Sequence, residues 1–100
     1  MEQQLYITTL YDYYKNLLTE KQQLYFEDYY FNNLTLSEIS ENYNISRNAV
    51  HKQLKEITNK LEEYEKKLNL YNKSQIIKEL IKDIDEKTKS KIEEIIWKGC

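Results

Sequence analysis

The chain contains no proline, and its single glycine, Gly99, is the penultimate residue. Glycine and proline punctuate hairpins and tight loops, so their near absence excludes a turn-rich β architecture and points to an all-α protein. Cysteine occurs once, as Cys100, with no second Cys or His at ligand spacing. That excludes a disulfide framework and a structural zinc site; the expectation is a reduced, incidental thiol, no metal and no cofactor. No apolar run approaches the roughly 20 residues that span a bilayer, and the first residues, with Glu2 and no basic cluster, do not make a secretory signal. No membrane association is expected, and the expected location is cytoplasmic. Arginine is nearly absent as well, Arg47 standing against fourteen lysines. The abundance of Lys, Asn, Ile and Tyr reads as the codon bias of an AT-rich genome, so bare counts carry little functional weight.

What is present is one hundred residues, 40% of them hydrophobic, enough to close one core. The expectation is a single helical domain over 1–100. The net charge of −2 is unevenly spread. Residues 1–34 carry two lysines against five acids, 35–70 carry six of each sign, and 71–100 carry seven lysines against six acids. Within 47–60, Arg47, Lys52, Lys55 and Lys60 face Glu56 alone, a local +3 on a mildly acidic chain. Any anion-binding surface is confined to that stretch.

Apolar spacing of three and four predicts a first helix over Glu2 to Leu17, with Tyr6, Leu10, Tyr13 and Leu17 inward. Thr19 and Gln22 form a capping box that opens a second helix, its buried stripe being Tyr25, Phe26, Tyr29 and Tyr30. Asn33 tolerates the left-handed conformation that ends a helix. A second box, Thr35 with Glu38, opens a short helix to about Asn42, with Ile39 inward and the small Ser40 at a helix crossing. Asn44 serves as the turn, and Ser46 caps the next helix.

That fourth helix is expected to run to about Leu70. Its apolar positions Val50, Leu54, Ile57, Leu61, Tyr64, Leu68 and Tyr71 alternate intervals of four and three, a heptad seam, with Lys60, Glu62, Glu65 and Lys67 as charged flanks. The seam is covered either by neighbouring helices or by a second copy. A homodimer through Leu54, Ile57, Leu61, Tyr64 and Leu68 is favoured, because two-fold symmetry offers a helix-turn-helix two half-sites. Ser74 is expected to cap a last stretch, with Ile76, Ile77, Leu80, Ile81 and Ile84 as one stripe and Ile92, Ile95 and Ile96 as another, joined or divided around Lys87 to Ser90.

Two helices braced through Ile39, Tyr43, Ile45, Val50 and Leu54, a small residue at the crossing and a turn residue able to adopt positive φ make a helix-turn-helix over 35–54. With Val50, Leu54 and Ile57 inward on a wheel of 3.6 residues per turn, Asn48, His51, Lys52, Lys55 and Asn59 point outward. Arg47 lies on the flank of the first turn. These are donors of the kind that recognition helices present to base edges and phosphates, and Arg47 can engage a guanine edge or a phosphate bidentately. The plainer reading is a solvated face in a Lys- and Asn-rich chain; the local +3 favours groove contact. Ten tyrosines raise the reading of base stacking, but Tyr6, Tyr13, Tyr25, Tyr29, Tyr30, Tyr64 and Tyr71 fall on apolar stripes and read as core, while Tyr11 and Tyr14 have no assigned place. The acidic pairs Asp85–Glu86 and Glu93–Glu94 point about 100° apart on a helix, unsuited to shared acid-base work, and read as solvating charges. No nucleophile–base pair or glycine-rich phosphate loop occurs, and no enzyme is expected.

The stretch LTEKQQLYFEDYYFNNLTLSEISENYNISRNAVHKQL, residues 18–54, resembles region 4 of bacterial sigma factors, the part that reads promoter DNA. The Thr35–Glu38 pair, the Ile45-Ser46-Arg47 entry and the spacing to Val50 match, while Tyr43 and Asn44 replace the usual leucine and glycine. The length leaves no room for the other sigma regions, so a sigma factor is not expected. The tyrosine-rich leading helix, the sigma-like middle and the long charged part at 55–100 together resemble the YlxM-like family of small helix-turn-helix proteins. That resemblance implies a sigma region 4-like fold with a long fourth helix and a C-terminal helical extension. It also implies a regulatory or accessory role in the signal recognition particle pathway, since such proteins are typically encoded beside the gene for the particle's GTPase. The partner expected is DNA, with the particle's RNA or GTPase as further candidates. The alternative is a protein- or RNA-binding module that uses the helix-turn-helix only as a scaffold.

Overall fold

A computed structural model describes residues 2–98; the expectation for Cys100 lies outside them. Among the described residues six α-helices follow one another. They are α1 (Glu2–Tyr14), α2 (Glu20–Tyr30), α3 (Leu36–Tyr43), α4 (Arg47–Leu68), α5 (Leu70–Leu80) and α6 (Glu86–Lys98), with a 3-10 turn at Lys15–Leu17. The described residues contain no strand, and no helix among them is long and apolar enough to cross a membrane. The molecule measures 51 × 25 × 25 Å.

The helix starts follow local chemistry. Thr19 Oγ1 accepts from the Gln22 backbone N–H at 3.1 Å while the Thr19 N–H donates to Gln22 Oε1 at 3.0 Å. Thr35 and Glu38 repeat the arrangement at 3.1 and 3.0 Å, and Ser46 Oγ accepts from the Ala49 N–H at 3.0 Å. Each box satisfies two backbone donors that a helix N-terminus would otherwise leave free. Asn33 and Asn44 both adopt the left-handed region, at φ 56° and 55°, where asparagine carries a smaller steric penalty than other residues with a Cβ.

The core is where α1, α2 and α3 close over α4. Val50, Ile57 and Leu61 are fully buried and Leu54 nearly so, together with Leu10, Phe26 and Ile39. This overturns the heptad seam as a dimer interface. Leu54, Ile57 and Leu61 are spent inside the chain, Tyr64 packs on the same core and donates its hydroxyl to the Leu17 carbonyl at 3.3 Å, and only Leu68 remains exposed. An interval of alternating fours and threes serves intrachain bundle packing as well as a coiled coil.

Three inward stripes differ from expectation. On α1 the buried set is Ile7, Leu10, Tyr11, Tyr13 and Tyr14, while Tyr6 and Leu17 are exposed. The 3-10 turn takes Leu17 off the α-helical wheel, and the core wraps round the helix far enough to take in Tyr11 and Tyr14. On α2, Tyr25 and Phe26 are buried and Tyr29 is exposed. Tyr43 of α3 meets the Tyr25 ring edge-on at 4.8 Å; Tyr29, one turn further on, lies beyond that cover.

The third difference is the C-terminal half. α4 stops at Leu68 because Asn69 turns left-handed at φ 58°, so Tyr71 belongs to α5. Ser74 caps nothing: it lies inside α5, 1% exposed, its Oγ donating to the Tyr71 carbonyl at 2.8 Å and sharing a 2.5 Å hydrogen bond with the Tyr13 hydroxyl. The break between the last two helices falls at 81–85, ahead of Lys87 to Ser90. Asp85 is its cap, Oδ2 accepting from the Thr88 N–H at 3.0 Å. Of the first expected stripe, Ile81 is buried and Ile77 partly so, whereas Ile76, Leu80 and Ile84 are exposed.

Candidate nucleic-acid interface

α3 and α4 form the two arms of the helix-turn-helix, with Asn44 between them. The Asn44 and Ile45 N–H groups close the end of α3, the latter donating to the Ser40 carbonyl at 3.1 Å. Ile39 and Val50, both fully buried, brace the arms. Tyr43 packs on the core and donates its hydroxyl to Asp28 Oδ2 at 2.9 Å, tying α3 to α2. Burial first, and then this bond, raise the Tyr43 hydroxyl above its ordinary pKa. The Glu38 carboxylate is held below its usual range by the Thr35 backbone N–H and hydroxyl, so it is committed to the cap.

With α4 fixed in this way, Arg47, Asn48, His51, Lys52, Lys55 and Asn59 are all exposed. Asn48, Lys52, Lys55 and Asn59 follow at intervals of four, three and four and share a face, with His51 beside them. Lys67 and Lys82 are neutralised by Glu63 at 2.8 Å and Glu79 at 2.6 Å. Among the described residues no carboxylate pairs with Arg47, Lys52 or Lys55. These three cations are therefore free of ion pairs to the described residues and open to an external anion, with Glu56 as the acid beside them on α4.

Beside it lies a feature that pattern reading misses. A concavity of about 240 Å³ is bounded by Tyr29, Tyr30 and Leu36 on one side and by His51, Lys55 and Thr58 on the other. An adjoining one, of about 440 Å³, shares Tyr29 and Leu36 and reaches Arg47. A third, of about 380 Å³, shares Tyr29, Tyr30 and Thr58 and is edged by Glu62. Tyr29 is common to all three. The one signal in the sequence is the width of the aromatic arc on α2: residues 25, 26, 29 and 30 cover about 140° of a helix, more than one packed neighbour covers.

The second missed residue is Glu65, which the heptad pattern treats as a solvated flank and the structure buries to 8% exposure. Its Oε1 accepts from the Tyr14 hydroxyl at 2.5 Å and the Tyr71 N–H at 3.0 Å, and its Oε2 accepts from the Asn72 N–H at 3.1 Å. The Tyr14 oxygen in turn accepts from the Leu70 N–H at 3.0 Å. One carboxylate thus caps α5 and fixes it to α1 and α4, away from the cationic face.

A family model described as "Putative helix-turn-helix protein, YlxM / p13 like", the UPF0122 family, matches residues 1–98. Among similar proteins, a UPF0122 protein of Malacoplasma penetrans is 42% identical over 98 residues, covering 92% of this chain and 91% of its own length. One from Geobacillus sp. is 41% identical over 86 residues, 86% of this chain and 78% of its own length. One from Caldanaerobacter subterraneus subsp. tengcongensis is 48% identical over 82 residues, 82% of this chain and 70% of its own length. The chain belongs to the UPF0122 family of YlxM-like helix-turn-helix proteins.

Proposed function

We propose that this UPF0122 protein binds DNA through the outward face of α4, as a cytoplasmic regulatory or accessory factor of the signal recognition particle pathway. The observation that carries the binding is the set of three unpaired cations, Arg47, Lys52 and Lys55, presented with Asn48, His51 and Asn59 from the first turns of a helix set by a left-handed turn. Phosphate contact positions such a head on a duplex and base-edge contact from the same helix specifies the site. No group is assigned a catalytic step. The pathway rests on the family resemblance alone, and the particle's RNA is the alternative ligand.

The test is binding of operon DNA and of particle RNA over a salt series, by wild type and by a Lys52→Ala, Lys55→Ala double variant. Log affinity should fall linearly with log salt, with a slope of about 0.9 per phosphate neutralised on duplex DNA, and the double variant should lose affinity and about two units of slope. Equal binding by the two proteins removes the face from the reading. The stoichiometry of the same titration counts copies per duplex. Two copies would support pairing through apolar side chains left outside the core, such as Leu68, Ile76 and Leu80; one copy removes the dimer. A second reading, docking of a protein on the extension, is favoured by the exposure of Leu80 and Ile95. It predicts binding that is indifferent to salt.

A further inference from the structure

Tyr29 is a large aromatic side chain, 39% exposed, beside the cationic face. Its neighbours account for its position without using its outer face. Tyr11, Phe26 and Tyr30 form a continuous stack, with centroids 4.2 Å and 4.4 Å apart at 13° and 27°. Tyr29 meets the end of that stack edge-on, 5.0 Å from Tyr30 at 84°. The ring is therefore held at a fixed angle by a rigid core element, at little conformational cost to a ligand. Tyr11, Tyr14 and Tyr43 commit their hydroxyls to carboxylates, whereas the Tyr29 hydroxyl makes no hydrogen bond to the described residues.

The chemistry around the ring sorts a ligand by its parts. Lys55 and His51 share one concavity with Tyr29 and Arg47 shares the adjoining one, so donors for phosphate flank the ring. Glu62 edges the third concavity; it repels phosphate and accepts from an exocyclic amino group. The smallest space, about 240 Å³, equals roughly eight water volumes, the scale of one heterocycle. A planar base with a phosphate on one side and an amino group on the other matches this arrangement. A base inside a continuous duplex cannot reach it, because both of its faces are stacked.

We infer that Tyr29, with His51 and Lys55, forms a seat for one unpaired nucleobase beside the α4 face, so that the protein prefers nucleic acid with a looped or extruded base over a continuous duplex. The inference rests on the proposed nucleic-acid binding by α4 and specifies the form of its ligand. Aromatic stacking of a base tolerates any sequence, since every base has a π face, so the preference is for structure.

The experiment compares two oligonucleotide pools of equal phosphate count, stem-loops with a randomised loop and randomised blunt duplexes, each made as RNA and as DNA. Wild type should bind the loops of at least one chemistry about 5- to 150-fold more tightly than the matching duplexes. Tyr29→Phe should keep that preference and Tyr29→Ala should lose it. Because the side chain is exposed, both variants should retain the helical circular dichroism of the wild type. Lys52→Ala, which alters a cation outside the three concavities, should weaken loops and duplexes by the same factor. Equal wild-type affinity for loops and duplexes, with the Lys52 effect intact, overturns the base seat and leaves the α4 reading standing. A preference that survives Tyr29→Ala also overturns the seat. Loss of the Lys52 effect on both pools overturns the α4 reading as well.

Discussion

The body of the molecule, α1 to α4, and the extension formed by α5 and α6 are held by packing and hydrogen bonds in different proportion. In the body, Leu10, Phe26, Ile39, Val50, Ile57 and Leu61 are fully buried, and the angles between helices are set by many small packing contacts at once. Among the described residues of the extension the well-buried ones are Ser74 and Ile81, and its attachment to the body joins the partly buried Leu70 and Tyr71, packed on the core, to hydrogen bonds through Glu65, Tyr14 and Tyr13. Packing is non-directional and its stability is shared over many atoms. Buried hydrogen bonds are directional and few, and each one left unmade carries the full desolvation cost of its donor or acceptor. The body should therefore unfold as a unit, while the extension, with less packing, should loosen when a single carboxylate is removed and leave the α4 face in place.

The largest effect should come from Leu61→Ala. This residue is fully buried at the centre of α4, where truncation removes transfer free energy and leaves a cavity, about 2 to 5 kcal/mol in all. Urea unfolding followed by far-ultraviolet circular dichroism should show one transition at lower midpoint, with body and extension lost together. Two separated transitions in this variant would mean that the extension is stable by itself and does not depend on the body.

Glu65→Ala should come next, and it should act on one region only. Without the carboxylate, the Tyr14 hydroxyl and the Tyr71 and Asn72 N–H groups lose their acceptor, at roughly 1 to 3 kcal/mol for a buried group left unsatisfied. Hydrogen exchange should speed up at the Tyr71 and Asn72 amides, while Ile57 and Leu61 keep their protection and nucleic-acid affinity stays unchanged. Glu65→Gln, which keeps one acceptor oxygen, should fall between the two. Equal loss of protection at Leu61 would show that body and extension form one cooperative unit.

The same contrast explains what could be read from the sequence. The boxes at Thr19 and Thr35, the Ser46 cap and the left-handed Asn33 and Asn44 were all legible, because each acts between residues three or four apart. With them came the exposed set on α4. Asn69 and Asp85 are devices of the same kind, yet the heptad interval from Leu68 to Tyr71 continues across the break and masks the first, and an adjacent acid disguises the second. Glu65 was illegible because its role depends on Tyr14, distant in sequence, and on amides beyond an unseen break. Tyr29 depends on how much of α2 the short α3 covers, which no periodicity encodes.

The smallest effect should appear only in alkali, and it separates the two regions a third way. Burial, reinforced by hydrogen bonds to Glu27 and Glu65, pushes the Tyr11 and Tyr14 hydroxyls well above their ordinary value of 10.0. A group whose folded pKa is raised binds its proton more tightly in the native state. Its contribution is complete below pH 10 and is lost as pH climbs beyond it, where the unfolded chain ionises and the folded one resists. Stability should therefore decline above about pH 10. Tyr11 bridges α1 and α2 inside the body, and Tyr14 serves the extension through Glu65 and Leu70. Tyr11→Phe should flatten the alkaline decline seen in global urea unfolding. Tyr14→Phe should change it less, acting instead on the pH dependence of amide exchange at Leu70 and Tyr71. The reverse assignment, with Tyr14 governing the global transition, would place the buried carboxylate in the core of the body and remove the distinction between the two regions.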